Sequence, residues 1–137
     1  SNFPTSLVED AREVVDIFCN QVEYHPYLSQ PQLLEQARKY GHLLTAYSPI
    51  AKGRVLTDPL LIEIGSKYEK NPVQVTLRWL VQQELVAAVP KAGSPEHRLS
   101  NISIFDFELS PTEMDAIHNL GRKERLVDPT DGPEWDG

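Results

Sequence analysis

The side chains of this chain best suited to chemistry stand where its apolar runs end. In "LLTAYSPIAKGRVL", residues 43–56, the run closes on Tyr47, Ser48 and Pro49, and a loop carrying Ile50, Lys52, Gly53 and Arg54 follows. "LVAAVPK" closes on Pro90 and Lys91, "IFCNQVEY" ends with Gln21 to Tyr24, and the chain opens on Ser1 and Asn2. An aromatic face suits a planar or cationic ring, a lysine suits an anion such as phosphate, and amide and hydroxyl groups suit carboxamide-like partners. Taken alone, Tyr47 reads first as an aromatic that ends a strand, and Lys91 as a solvated cation. The same pattern recurs at several run ends, and that recurrence favours a binding site.

Other reactive residue types fall into no such pattern. The four histidines and the single cysteine have no metal-ligand spacing, so no metal site is expected. Cys19 lies inside an apolar run and reads as inert core. His25, between Tyr24 and Pro26, reads as a packed structural histidine, and His42 and His118 as surface positions. Trp79 reads as core. Trp135 stands in a polar, Pro- and Gly-containing tail, where its ring either packs on the fold or lines a substrate pocket. Arg122, Lys123 and Arg125 read as a solvated helix end, a terminus that favours cations anyway.

Short apolar strands alternate with amphipathic helices around these residues. Ser6 and Glu9 have the spacing of a capping box, before Leu7, Val8, Ala11, Val14 and Val15 at helical intervals. Pro31 suits a first helical turn, with Leu33, Leu34, Ala37 and Tyr40 on one face and Gly41 as C-terminal cap. Asp58-Pro59, Asn71-Pro72, Ser94-Pro95 and Ser110-Pro111 each start a further helix. Strands that are apolar throughout, alternating with helices, predict an α/β fold with a parallel sheet. In such folds ligands gather at the carboxyl ends of strands. A doubly wound sheet is the alternative on pattern alone, and the lack of a Gly-rich loop after an early strand disfavours it.

Bulk properties bound the function. The chain has 137 residues, about one domain, with net charge −7 and pI near 5.0. No basic surface is available for nucleic acid, and no apolar run approaches the roughly 20 residues that span a bilayer. One cysteine cannot form an internal disulfide, which suits a reducing cytoplasm. The only methionine is Met114, so a processed terminus or a piece of a longer chain is expected.

"SNF", "NQVEYHPY", "YSP" and "VPKAGSPEHRLSN…IFDFELS" occur in the order and at about the spacing of the aldo-keto reductase superfamily, which the chain resembles over essentially its full length. The tail "KERLVDPTDGPEWD" is similar to that of bacterial 2,5-diketo-D-gluconate reductases of the methylglyoxal-reducing kind. The resemblance implies the C-terminal portion of a (β/α)8 TIM barrel, with three full parallel strands and covering helices, residues 1–137 forming a partial reductase domain and residues 121–137 its C-terminal loop. It implies NADPH as cofactor and a small carbonyl compound as substrate. On this resemblance Ser1, Asn2 and Gln21 would bind the nicotinamide carboxamide and Tyr47 would stack on the ring. Ser48, Ile50, Lys52 and Gly53 would border the pyrophosphate, and Pro90-Lys91 the adenosine-side phosphate. His97 and Asn101 would flank the adenine ribose, on a helix capped by Ser94, and Trp135 would belong to a substrate loop.

The resemblance also implies what this chain lacks. The family's catalytic tyrosine, lysine, aspartate and histidine lie on its first four strands, and the chain resembles the family from the end of the fifth strand onward. None of Tyr24, Tyr27, Tyr40, Tyr47 and Tyr68 stands in the catalytic context, so no catalytic residue is assigned. His97 and Ala92 replace a common arginine and serine, which weakens the case for NADPH over NADH. The chain is expected to work beside a missing N-terminal half of the barrel and to be inactive alone. The alternatives are a non-catalytic nucleotide-binding module and an inactive truncated relic.

Overall fold

The computed structural model describes residues 1–136. Three parallel strands, β1 (Cys19–Glu23), β2 (Leu43–Tyr47) and β3 (Val86–Ala88), form one sheet in the order β1-β2-β3. Helix α1 (Thr5–Arg12) precedes β1, and α2 (Pro31–Tyr40) crosses from β1 to β2. A kinked 3-10 segment (Ala51–Thr57), α3 (Pro59–Tyr68) and α4 (Pro72–Val81) lead to β3, and α5 (Pro95–Ile102) and α6 (Pro111–His118) follow. This is the expected α/β pattern, with a crossover helix between each pair of parallel neighbours.

Local chemistry sets most helix limits. Asp58 caps α3 by accepting from the amides of Leu60 and Leu61, Ser94 caps α5 through the His97 amide, and Asn71–Gln74 and Ser110–Glu113 form full capping boxes. Gly41 ends α2 in the left-handed region at φ 70°, where the lack of a Cβ removes the steric cost. The Ser6–Glu9 box does not form. Helix α1 starts two residues earlier, with Pro4 as its N-cap, and the Glu9 carboxylate instead accepts from Gln36 and the Tyr40 hydroxyl. The helix also stops at Arg12, leaving Val14 and Val15 exposed beyond it.

The core lies between the sheet and α2, α3 and α4. Val22, Leu44 and Ala46 pack against Leu33, Leu34, Leu61, Ile64, Val75, Trp79 and Leu80, with Tyr24 edge-on to Trp79 at 5.2 Å. Trp79 is core, as its spacing predicts, and His25 is fully buried. Three expectations fail. His42 is buried, 1% exposed, because the left-handed turn at Gly41 folds it back under α2. Cys19 is only half-buried because β1 is an outer strand, and its Sγ lies 2.9 Å from Thr45 Oγ1. Arg125 is not solvated; its guanidinium stacks 3.7 Å from the centre of the Trp135 ring.

Both outer strands have an edge without a strand partner among the described residues, though the Asn2 amide donates to Gln21 O at 2.7 Å alongside β1. Phe18 near one edge and Val89, Leu99, Ile102 and Phe105 near the other are exposed, the unpaired edges and apolar surface expected of an open portion of a barrel. Among the described residues no helix is long and apolar enough to cross a membrane.

Candidate functional site

The carboxyl ends of the three strands share one rim, because the sheet is parallel. Pairing sets Glu23 opposite Tyr47 and Gln21 opposite Thr45, and Ala46 opposite Ala88 just before Val89, Pro90 and Lys91. The chain leaves β2 through a backbone that is mostly left-handed: Ser48 at φ 49°, Ala51 at 47°, Lys52 at 53° and Gly53 at 91°. Side-chain-bearing residues avoid this region, and clusters of them concentrate at binding sites. Only at Gly53 is the conformation free of that penalty.

Two cavities open on this rim and share Ile50 and Lys91. One, of about 420 Å³, is lined by Ser48, Ile50, Lys52, Lys91 and Gly93 with Pro49 and Val89. The other, of about 250 Å³, is lined by Ile50, Lys91, His97, Ser100 and Asn101 with the apolar Leu56 and Val73 and with Asn71. Six of the predicted residues, Ser48, Ile50, Lys52, Lys91, His97 and Asn101, therefore line these two cavities. Lys91 and His97 are exposed, and neither side chain has a hydrogen bond or ion pair among the described residues. Ser94 acts on the groove indirectly, as the cap that starts α5 and so presents His97 and Asn101.

Beside the groove, Tyr47 ends β2 just before Ser48, the Asn2 side chain lies near its hydroxyl, and the Asn2 amide donates to Gln21 O. The Tyr47 hydroxyl and Asn2 Oδ1 are both buried without a hydrogen-bond partner among the described residues. Burial raises the Tyr47 phenol above its ordinary value, and the nearby Asn2 side chain offsets part of the rise. Buried polar atoms left unpaired cost about 1–3 kcal/mol each, so a ligand offering a donor to Asn2 Oδ1 and a partner to the Tyr47 hydroxyl would relieve that cost. A planar carboxamide-bearing ring has those roles, and a phosphate-bearing extension suits Lys91 and Lys52. The donor set fits an extended dinucleotide.

Elsewhere the predicted residues separate. Pro90 lines a different, apolar trough beside β3, with Leu77, Ile102 and Phe105. Trp135 lies away from the groove: its indole donates to Asp128 Oδ1 at 2.9 Å, and it borders a small gap with Phe3, Pro4, Val22 and Leu33. Asn71, Val73 and Leu56 line the groove without having been singled out in the sequence. Asn71 and Leu56 carry no motif beyond a helix start and a loop, so only the fold reveals them. No group of three or more His, Cys, Asp or Glu side chains is arranged to hold a metal among the described residues.

Comparison with known proteins agrees with this geometry. The sequence model described as "Aldo/keto reductase family" matches residues 1–122. The chain belongs to the aldo/keto reductase family. A glyoxal reductase of Bacillus subtilis is 38% identical over 128 residues, 92% of this chain and 46% of that protein. A crystal structure described as a candidate 2,5-diketo-D-gluconic acid reductase B is 45% identical, with a TM-score of 0.96 over 99% of this chain and 50% of that one. A variant of Gox0644 crystallised in complex with NADPH has a TM-score of 0.84 at 32% identity, over 96% of this chain and 50% of that one. The strands and helices are therefore part of the family's (β/α)8 barrel, the resemblance read from the strand-end motifs. The aldo/keto reductase chain spans less than half the length of the curated relatives it matches.

Proposed function

We propose that this chain is the dinucleotide-binding part of an NADPH-dependent reductase of small aldehydes and ketones, with ketoaldehydes and keto sugars as the substrate class. The observation that carries the reading is the pair of cavities sharing Ile50 and Lys91, beside the buried, unpartnered Tyr47 hydroxyl and Asn2 Oδ1. Two similar proteins, a glyoxal reductase and a 2,5-diketo-D-gluconic acid reductase B candidate, support the substrate class. The NADPH in the Gox0644 complex supports the cofactor.

In this reading Asn2, Gln21 and Ser1 orient the carboxamide, and the Tyr47 ring supports the nicotinamide face. Ser48, Ile50, Lys52 and Gly53 border the pyrophosphate, and Lys91, His97 and Asn101 take the adenosine end, with Ser94 holding their helix in place. Bound NADPH supplies the hydride that reduces a carbonyl carbon. Trp135 acts through the tail, as part of the loop that limits the substrate space. His97 in place of a permanent cation leaves Lys91 as the principal charge for a 2′-phosphate, so NADPH is preferred over NADH by a modest factor. The lone Cys19 suits a cytoplasmic setting.

The proton that completes reduction comes from outside the described residues. The hydroxyls of Tyr24, Tyr27, Tyr40 and Tyr68 donate to Gln83, Asp58, Glu9 and Glu113, and the fifth, on half-buried Tyr47, is itself buried with its acidity reduced. Alone, the chain binds cofactor without turnover; with a segment that closes the barrel and brings the acid, it reduces carbonyls. That engagement of four hydroxyls also favours the second reading, a non-catalytic nucleotide-binding module.

Titration of NADPH fluorescence with this chain, with Tyr47→Ala as control, tests the assignment. Saturable binding that weakens about tenfold or more in the variant supports it. Monodisperse protein that binds no NADPH overturns it. Methylglyoxal reduction restored by adding a complementary barrel segment separates the reductase from the module.

A further inference from the structure

Glu23, at the end of β1, is fully buried, yet it is an anion surrounded by donors. Its Oε1 accepts from the Leu126 amide at 2.8 Å and lies 3.0 Å from His25 Nε2. Its Oε2 accepts from the Val127 amide at 3.0 Å and lies 3.9 Å from an Arg125 guanidinium nitrogen. Burial alone would raise this carboxyl; the hydrogen bonds from His25, Leu126 and Val127 outweigh it and hold the group below its ordinary range.

The same stretch of tail faces the groove on its other side. The Leu126 carbonyl accepts from Lys52 Nζ at 3.0 Å, and that carbonyl and the Val127 amide belong to one peptide group. A single peptide therefore stands between a buried carboxylate and an ammonium, polarised in the same sense at both ends. Lys52 lines the larger cavity with Ser48 and Lys91 and sits in the left-handed loop at φ 53°. Such a backbone persists only where its surroundings hold it. The neighbouring Arg54–Glu124 contact at 2.7 Å ties the loop to the tail a second time.

We propose that Glu23 is a positioning residue for the dinucleotide: through the Leu126–Val127 peptide it holds Lys52 at the mouth of the groove, so that ordering of the tail and binding of the cofactor's phosphates reinforce each other. The inference rests on the dinucleotide reading above and assigns that site its link to the tail. Glu23 and the Leu126–Val127 peptide line neither cavity. Their effect passes through Lys52, and coupling of this kind is reciprocal: if the clasp tightens cofactor binding, cofactor tightens the clasp by the same factor.

The test uses the full chain and NADPH itself. Hydrogen exchange of the Leu126 and Val127 amides is measured with and without saturating NADPH, and NADPH is titrated against Glu23→Gln, Lys52→Met and the double variant. Slowing of both amides by about tenfold on binding is expected, with each single variant weakening NADPH by a similar factor. The double variant should bind no more weakly than the worse single one, because both changes break one chain of contacts. Unchanged exchange in the NADPH complex, additive losses, or tighter binding by Glu23→Gln would overturn the inference. If the unaltered protein binds no NADPH, the dinucleotide reading fails and this one with it; saturable binding without protection sinks this one alone. Because the exchange arm needs no substitution, it decides even if Glu23→Gln fails to fold.

Discussion

The two ends of the strand-end rim carry the same classes of residue and do opposite things. At the β1 end, Glu23, His25 and Tyr27 are buried and hydrogen-bonded, to the tail, to one another and to Asp58. At the β3 end, Lys91 and His97 are exposed and without partners among the described residues. The difference is what covers them. Residues 122–127 fold back over the β1 end, where the Arg122 and Glu124 amides also donate to Tyr27 O, and they leave the β3 end open. Charge under cover has become internal structure, while charge in the open is available to a ligand. A polar residue at a strand end is therefore not evidence of a site until its cover is known.

The largest expected effect tests this contrast directly. Glu23→Ala removes the acceptor of two amides and leaves His25 and Arg125 facing an empty buried space. Breaking one side of a buried ionic cluster costs about 3–5 kcal/mol, and urea unfolding at neutral pH should show a loss of that order. Lys91→Ala should change the same midpoint by less than about 0.5 kcal/mol, as exposed substitutions do. Equal losses in the two variants would abolish the distinction between the rims.

Ligand binding should reverse the ranking. Lys91→Ala is expected to raise the NADPH dissociation constant about tenfold and to flatten its dependence on salt, because one exposed cation facing a phosphate is lost. Titration at low and high ionic strength checks both. An unchanged salt dependence would place the phosphates elsewhere.

The same contrast explains what could be read from the sequence. Order and type of elements were legible because each helix announces itself with its own chemistry, as at Asp58-Pro59, Asn71-Pro72 and Ser110-Pro111. Ser48 and Lys91 were legible as strand-end residues, whereas His97 and Asn101 on α5 came only from the resemblance; Ser48 and His97 each share a cavity with Lys91. Failures concentrate where contact is remote in sequence. Glu23 meets Val127 across 104 positions, and no local pattern encodes such a pairing. Ser6–Glu9 had the right spacing, yet Gln36 and Tyr40 on α2 outcompete the Ser6 amide for the carboxylate. His42 followed a capping glycine and so looked like a loop residue, but the turn at Gly41 directs it inward.

That buried histidine has a consequence for pH. Burial first, and then the positive charge of Arg12, lowers the His42 pKa below its ordinary value, and neither ring nitrogen has a partner among the described residues. A base whose folded pKa is depressed binds fewer protons in the folded state. Its contribution is complete above the unfolded value near 6.5 and is lost as pH falls through the folded one. Stability should therefore decline below about pH 6.5, before the carboxylates Glu23 and Glu113, whose pKa values are also depressed, lose theirs at lower pH. His42→Leu should reduce the first decline without abolishing it, because His118 is shifted the same way by burial. Unfolding midpoints at pH 7.5 and 5.5 measure it, and an unaltered decline in His42→Leu would mean that this ring does not titrate on unfolding.

The smallest expected effect sharpens the contrast most. Arg54–Glu124 is the shortest ion pair of the tail, 2.7 Å, and joins the same two segments as the Lys52–Leu126 contact. By distance alone it should matter more than Arg125–Glu23 at 3.9 Å. Yet the Arg54 side chain is 56% exposed, so water solvates it equally well in the unfolded chain, and exposed pairs contribute only about 0–1 kcal/mol. Arg54→Ala should thus shift the urea midpoint slightly, and the shift should vanish in high salt. Glu23→Ala, with the longer contact but no exposure, should keep nearly its full loss there. If Arg54→Ala instead destabilised as much as Glu23→Ala, the clasp would be held by charge pairing at the surface, and burial would not be what separates the two rims.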